Sequence, residues 1–542
     1  MTAASTAAAA TVSPSVQDAR LAYVEARAAA MTGDHARSAA LLASLAQTQP
    51  QDVDLARKAL AEAIGAGQYD LALRLARSIP AQKLSSDARL LLAADEIRHQ
   101  RTDKAQQWLA VAGDNGSLTF LSPLVSAWDQ AARGDLTKAL QAIDAVPNNG
   151  LLTPLKTEER ALILLKFRRI AEAEPFARQA IGTASNREIR LRLAFADGFL
   201  AAGDQARALA MVDGLSADAA AARRRILVGR PSGEAIDTAP KAFGEALTAF
   251  ASDLIRLQRA APPIGLVQVA RYADPQNANA ALLLSLLLDG QDRSDEALSL
   301  LNSIPKDDAL IEQVRDAQVR ILTDKKRYNE AYSIAAPAAA ARDAGPDDFS
   351  RLGDLLQAMK RSGEAADAYA RAIALANTQG VKTDLWSLLL LRASALEQAG
   401  RWPEAKQALQ QGLAIAPDQP LLLNYLGYGK LERGEDMESA EAMIRKASQL
   451  APDDASITDS LGWAQFKRGK LAEAIATLQT AAEKDPDQAE IQEHLGDALY
   501  KSGRKFEARF AWEAALVTAE DDIAKRVKAK LASGLTTANA AP

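Results

Sequence analysis

Three histidines, His35, His99 and His494, are the only imidazoles in this 542-residue chain, and they stand far apart. None belongs to a His-Glu-x-x-His pair, and there is no cysteine, so neither a zinc-binding helix nor a thiolate site can be assembled from local spacing. The lack of cysteine also removes disulfides and a Cys nucleophile, and suits either redox compartment. Gly427-Tyr428-Gly429-Lys430 places glycines before a lysine as a phosphate loop does. It lacks the second glycine spacing and the Ser or Thr that would hold magnesium, and reads as helix-packing glycine. No Gly-x-Ser-x-Gly elbow occurs, and acidic pairs such as Asp453-Asp454 fall in turns, where they cap the next helix. No enzyme, metal or cofactor is expected.

The elements available to position side chains are helices. Of the residues, 48% are hydrophobic but only 5% aromatic, so alanine supplies much of the apolar total and helix propensity is high. Lys and Arg number 64 against 69 Asp and Glu, a net charge of -5, which gives no global attraction to nucleic acid. No run of 18 apolar residues could span a bilayer as a helix. Met1 to Pro14 is a small-residue tract without a basic leader, expected to be a flexible tether. It fits a chain that starts after a removed export segment as well as an ordinary N-terminus.

A Gly-Asp-x-x-x-Ala-Leu-like phrase recurs. Its alanine falls at Ala39, Ala72, Ala105, Ala139, Ala173 and Ala208, with spacings of 33, 33, 34, 34 and 35. It returns at Ala297, Ala331, Ala365, Ala405, Ala440, Ala474 and Ala508, with spacings of 34, 34, 40, 35, 34 and 34. Pro263, followed by Ala270, marks a degenerate unit between the blocks, giving about fourteen units. The late units add Leu-Gly, a large apolar residue, a second alanine and proline: Leu461, Gly462, Ala474, Leu478, Ala481, Pro486, and then Leu495, Gly496, Ala508, Trp512, Ala515. This resembles the tetratricopeptide repeat and implies an all-α superhelix, an α-solenoid of helix-turn-helix units. The first six units lack the Leu-Gly pair, so their packing is expected to differ.

The expected organisation is a tether at 1–16, an N-terminal array at 17–215, an insertion and hinge at 216–240, and a middle array at 241–377. A C-terminal array follows at 378–519, then a solvated capping helix at 520–534 and a disordered tail at 535–542. The hinge rests on Arg223-Arg224-Arg225 and the Gly- and Pro-rich stretch to Pro240; Thr378 to Thr383 should protrude as a loop.

Such an array holds a peptide or protein along its first helices. In the last three units the candidate groove residues are Tyr428 and Leu431, Trp463 and Phe466, and Asp497 and Tyr500, an aromatic ladder. Asn424, Asp459, Glu493 and His494 stand one turn earlier and could hydrogen-bond an extended backbone. Phe466 and Tyr500 fit equally well as the packing tyrosine of ordinary repeats. Chaperone-binding repeats grip a carboxylate with Lys, Arg and Asn; here Leu421, Asn424, Tyr428, Ser456, Asp459, Ser460, Glu490, Glu493 and His494 supply acid instead, so an acidic chaperone tail is not the expected ligand. Charge differs along the chain: 17 basic against 13 acidic residues from Lys156 to Arg259, and 12 against 21 from Asp418 to Asp522.

The phrases Asn424-Tyr425-Leu426-Gly427-Tyr428, Asp459-Ser460-Leu461-Gly462-Trp463 and His494-Leu495-Gly496-Asp497, with Gly503-Arg504, Glu507-Ala508-Arg509 and Trp512, carry a narrower likeness. They resemble the end of proteobacterial envelope repeat lipoproteins that act as adaptors for a periplasmic carboxy-terminal processing protease. That resemblance implies a non-catalytic periplasmic scaffold, outer-membrane anchored by a lipidated cysteine upstream, whose partners are a protease and its cell-wall hydrolase substrates. The alternatives are a component of an exopolysaccharide or pilus export apparatus and a cytoplasmic assembly factor.

Overall fold

The computed structural model describes residues 16–113, 116–148, 152–184, 187–213, 215, 219–257, 262–342, 344–379 and 385–541. Among them the regular structure is 30 α-helices and two short 3-10 turns, with no strand. Twenty-eight of the helices form fourteen consecutive pairs, from Val16–Met31 with His35–Thr48 to Ala489–Lys501 with Lys505–Thr518. The helix Ala220–Leu227 lies between pairs, and Asp521–Ser533 closes the array.

The period has a mechanical cause. All thirteen recurring alanines are 0% exposed, and each sits in the first five residues of the second helix of its pair, where the helices cross. Just upstream of each alanine the turn passes through a left-handed residue shortly after the first helix, which reverses the chain. Eight of these are glycines (Gly33, Gly67, Gly134, Gly203, Gly400, Gly434, Gly469, Gly503) and five are Gln100, Arg168, Asp292, Lys326 and Lys360. The residue that lengthens one period to 35 is accommodated at Glu435 and Asp436, the latter also left-handed. The first-helix glycines permit contact that no side chain would: a Cβ on Gly462 would lie 2.6 Å from Leu478, and one on Gly496 would lie 2.3 Å from Trp512.

The chain divides into two compact units, 1–334 and 335–542, within the helix Tyr328–Ala339. This corrects the expected hinge at 216–240. Ser232, Gly233 and Glu234 each donate a backbone N–H to the buried carboxylate of Asp197, which holds the 229–238 stretch against the helix Glu188–Ala202. Arg190 reinforces it through Glu234 and Glu245, and Arg187 bridges Glu245 and Glu158, all buried. Trp128 donates from Nε1 to Glu159 at 2.7 Å. Burial, helped by the neighbouring Glu158 charge, pushes the Glu159 carboxyl well above the usual range.

In the first unit the degenerate pair, Ala239–Arg256 and Ile264–Ala273, turns inward. Ala239–Arg256 packs on Ser86–Arg98 and Ser122–Ala132, and Ile264–Ala273 on Val53–Gly65 and Ser86–Arg98. The inner face of repeats two to four is thus covered by the chain itself. The apolar helices Ala278–Asp289 and Leu385–Gln398 are largely enclosed, with only Leu286 and Leu391 exposed among their leucines. In the second unit the helix Ser362–Gln379 takes in Thr378 and Gln379; residues 380–383 of the expected loop, like nearly all of the 1–16 tether, lie outside the described residues.

Candidate partner-binding groove

Four successive first helices of the second unit, Leu385–Gln398, Pro420–Glu432, Ala455–Lys467 and Ala489–Lys501, build a cleft of ≈ 690 Å³. Asn424, Tyr428 and Asp459 of the expected site line it, joined by Glu397, Glu432 and Glu490. Sequence reading missed Glu397 and Glu432, although Glu432 stands one turn after Tyr428 on the same helix face. Among the described residues Arg433 is the one cation lining the cleft; it pairs with Glu397 at 2.8 Å and lies over the Trp402 ring. Glu490 has no ion-pair partner among the described residues, and Asn424 Oδ1 is a buried acceptor without a donor. Burial lifts the Tyr428 phenol well above its usual range, with Glu432, Glu490, Asp459 and Glu397 acting in the same direction. The cleft is therefore electronegative and offers acceptors.

The deeper candidates are not open to solvent. Trp463 is 1% exposed, stacked between Phe466 at 4.7 Å and His494 at 4.1 Å. His494 Nδ1 hydrogen-bonds Asp459 at 2.8 Å. Burial works against the charged imidazole, but the Asp459 carboxylate more than offsets it and the His494 pKa is raised. Tyr500 lies partly buried against Trp512 at 5.3 Å. Glu493 is fully buried beneath the last helix, accepting from Arg526 and Lys530, and Asp497 accepts from Lys530 and Trp512. The expectation that Glu493 and His494 face a partner backbone is corrected: their polar contacts are made within the chain. The capping helix is likewise not wholly solvated, since Lys530 is 0% exposed.

Leu431, Trp463 and Asp497 are covered by the chain's own end, which corrects the expected disordered tail. After Ser533 the chain turns at Gly534, left-handed and so close to Tyr500 that a Cβ there would lie 2.2 Å from the phenol oxygen. Asn539 accepts from the Thr536 amide and donates to the Gly534 carbonyl, which shapes residues 534–539 into a compact loop. Ala541, 5% exposed, enters the cluster of Leu431, Leu461 and Trp463, and its backbone N–H donates to Asp497 Oδ2 at 3.1 Å. Leu431, Trp463 and Asp497, on three consecutive first helices, are thereby brought together around a short segment of chain.

A tetratricopeptide repeat model matches residues 386–431, and a TPR repeat model matches residues 462–503. No curated protein matches the chain. Among solved structures, the fold is similar to the Cut9–Hcn1 hetero-tetramer of APC/C, with 15% identity, 96% of each chain covered and a TM-score of 0.38. It is similar to yeast Tom70, with 11% identity, 96% of each chain covered and a TM-score of 0.37. YrrB, described as a TPR protein with an unusual peptide-binding site, shares 16% identity over 36% of this chain and 97% of its own, with a TM-score of 0.28. The chain is an all-α solenoid of tetratricopeptide-type helix pairs. Tetratricopeptide repeats are, as a class, protein-binding scaffolds.

Proposed function

We propose that the last three repeats hold an extended segment of a protein partner, small and apolar where it meets Leu431 and Trp463, and basic where it reaches Glu432 and Glu490. The observation that carries this reading is the seating of Ala541, whose amide bonds Asp497 while its methyl group packs against the Leu431, Leu461 and Trp463 cluster. A main-chain hydrogen bond with a small pocket beside it is how a groove takes an extended peptide. The covered inner face of the first unit also favours the second unit as the binding half.

The site is proposed to serve as a non-catalytic adaptor in the bacterial envelope, periplasmic and outer-membrane anchored, bringing a processing protease to cell-wall hydrolases. Support comes from the C-terminal phrases Asp459-Ser460-Leu461-Gly462-Trp463 and His494-Leu495-Gly496-Asp497. The test is affinity capture from separated envelope and cytosol fractions with the intact chain and a Tyr428→Ala, Glu490→Gln variant. These cleft residues serve as probes rather than Trp463, because truncating a fully buried indole would open a cavity in the repeat. A periplasmic protease or cell-wall hydrolase is expected on the intact bait and depleted on the variant. Retention of cytosolic proteins alone, or equal retention by both baits, contradicts the proposal.

A further inference from the structure

A second cleft, of ≈ 790 Å³, lies in the first unit, far in sequence from the C-terminal repeats. Its walls come from the helices His35–Thr48, Tyr69–Ser78, Ser86–Arg98 and Ile264–Ala273 and the turn after the last of these. Three arginines line it, Arg74, Arg98 and Arg271, against one carboxylate, Asp70. Several other arginines of this unit are matched with carboxylates: Arg77 with Asp95, Arg101 with Glu96, Arg133 with Asp129, Arg160 with Asp144. The three in the cleft have no carboxylate partner among the described residues. Arg98 donates only to the Tyr272 carbonyl, at 3.0 Å, and lies over the Tyr272 ring. Arg271 Nε is buried without an acceptor.

The floor is fixed. Tyr69 and Tyr272 pack with ring centroids 5.0 Å apart. Tyr69 donates to Gln268 at 2.8 Å, and Tyr272 donates to Asp95 at 2.7 Å. Gathering unmatched guanidiniums in one recess costs Coulomb repulsion, and a buried N–H without an acceptor costs desolvation. A bound anion relieves both, and the forked guanidinium suits a carboxylate or phosphate.

We propose that this cleft is an oxyanion-binding site, taking a carboxylate or phosphate group between Arg74, Arg98 and Arg271. It is independent of the C-terminal groove. The test is titration calorimetry of the full chain at low ionic strength with inorganic phosphate and with an acetylated, amidated tetraglutamate peptide, using chloride as baseline. Saturable binding of at least one probe above the chloride baseline is expected. Phosphate binding alone identifies a small free anion as the ligand, and binding of the peptide identifies an acidic segment. The Arg74→Gln, Arg271→Gln variant should weaken it at least about tenfold, since each charge-assisted contact is worth about an order of magnitude in affinity. Ser44, exposed on the cleft wall, gives a second variant: Ser44→Glu places a carboxylate among intact arginines and should abolish binding. Heats equal to the chloride baseline, or undiminished binding in both variants, overturn the site.

Discussion

Lys530→Ala is expected to detach the last helix and the segment after it from the array. Lys530 is 0% exposed, and its ammonium bonds Glu493 and Asp497, each at 2.7 Å. Removing one member of a buried ion network leaves the remaining charges uncompensated, at a cost of about 3–5 kcal/mol. Burial already holds the Asp497 carboxyl above its usual range against the pull of Lys530, so without that cation it is driven further toward the protonated form. The readout is hydrogen exchange of residues 521–541 and 489–501, which should accelerate at least a hundredfold, the equivalent of about 3 kcal/mol. Lys528→Ala, on the exposed side of the same helix, should change little. Acid should act in the same direction. Burial would raise the Glu493 pKa, but the hydrogen bonds from Arg526 and Lys530 override it and the net shift is downward. Its stabilisation is therefore complete above the unfolded carboxylate pKa of about 4.3 and is lost as pH falls through the lower folded value.

Arg190→Met should have a comparable effect in the first unit. Arg190, 3% exposed, bonds Glu245 and Glu234 and donates to the Glu234 carbonyl at 2.7 Å. Methionine approximates the stem but leaves two buried carboxylates facing each other without that cation, again about 3–5 kcal/mol. Burial already pushes Glu234 up to about 7, against Arg190, and loss of the arginine raises it further. The 229–238 stretch should lose protection from exchange and become the first site of proteolytic cleavage at neutral pH. An unchanged exchange pattern would mean that Asp197 alone holds it.

The period was legible in the sequence because its cause is local. The thirteen alanines and the turns before them are set by how closely two adjacent helices cross, and adjacent helices are adjacent in sequence. Five turns use Gln100, Arg168, Asp292, Lys326 or Lys360 where glycine is usual, so the alanine was the better marker of phase. What sequence could not show are contacts made across the array. Arg190, Glu245 and Lys530 have the character of surface residues, and only the packing of Glu234 and the helix Ala239–Arg256 against Glu188–Ala202, and of Asp521–Ser533 against Ala489–Lys501, takes them out of water. The groove ladder was half legible for the same reason. Tyr428, Trp463 and Asp497 do lie on consecutive first helices, but Trp463 and Asp497 are enclosed by Ala541, a residue 44 positions beyond Asp497.

The central claim is that the last repeats of the second unit seat a small residue and its amide at Leu431, Trp463 and Asp497, and that the chain's own end, through Ala541, occupies that seat. The most direct measurement is fluorescence anisotropy of a labelled peptide, Leu-Thr-Thr-Ala-Asn-Ala-Ala, matching residues 535–541, added to the intact chain and to a chain ending at Gly534. Saturable binding to the shortened chain is expected, with binding at least about tenfold weaker to the intact chain, whose own end competes for the seat until a ligand displaces it, and none for a peptide in which the position of Ala541 carries lysine. Equal binding to both chains, or no binding to a shortened chain whose helix content is unchanged, would contradict the groove.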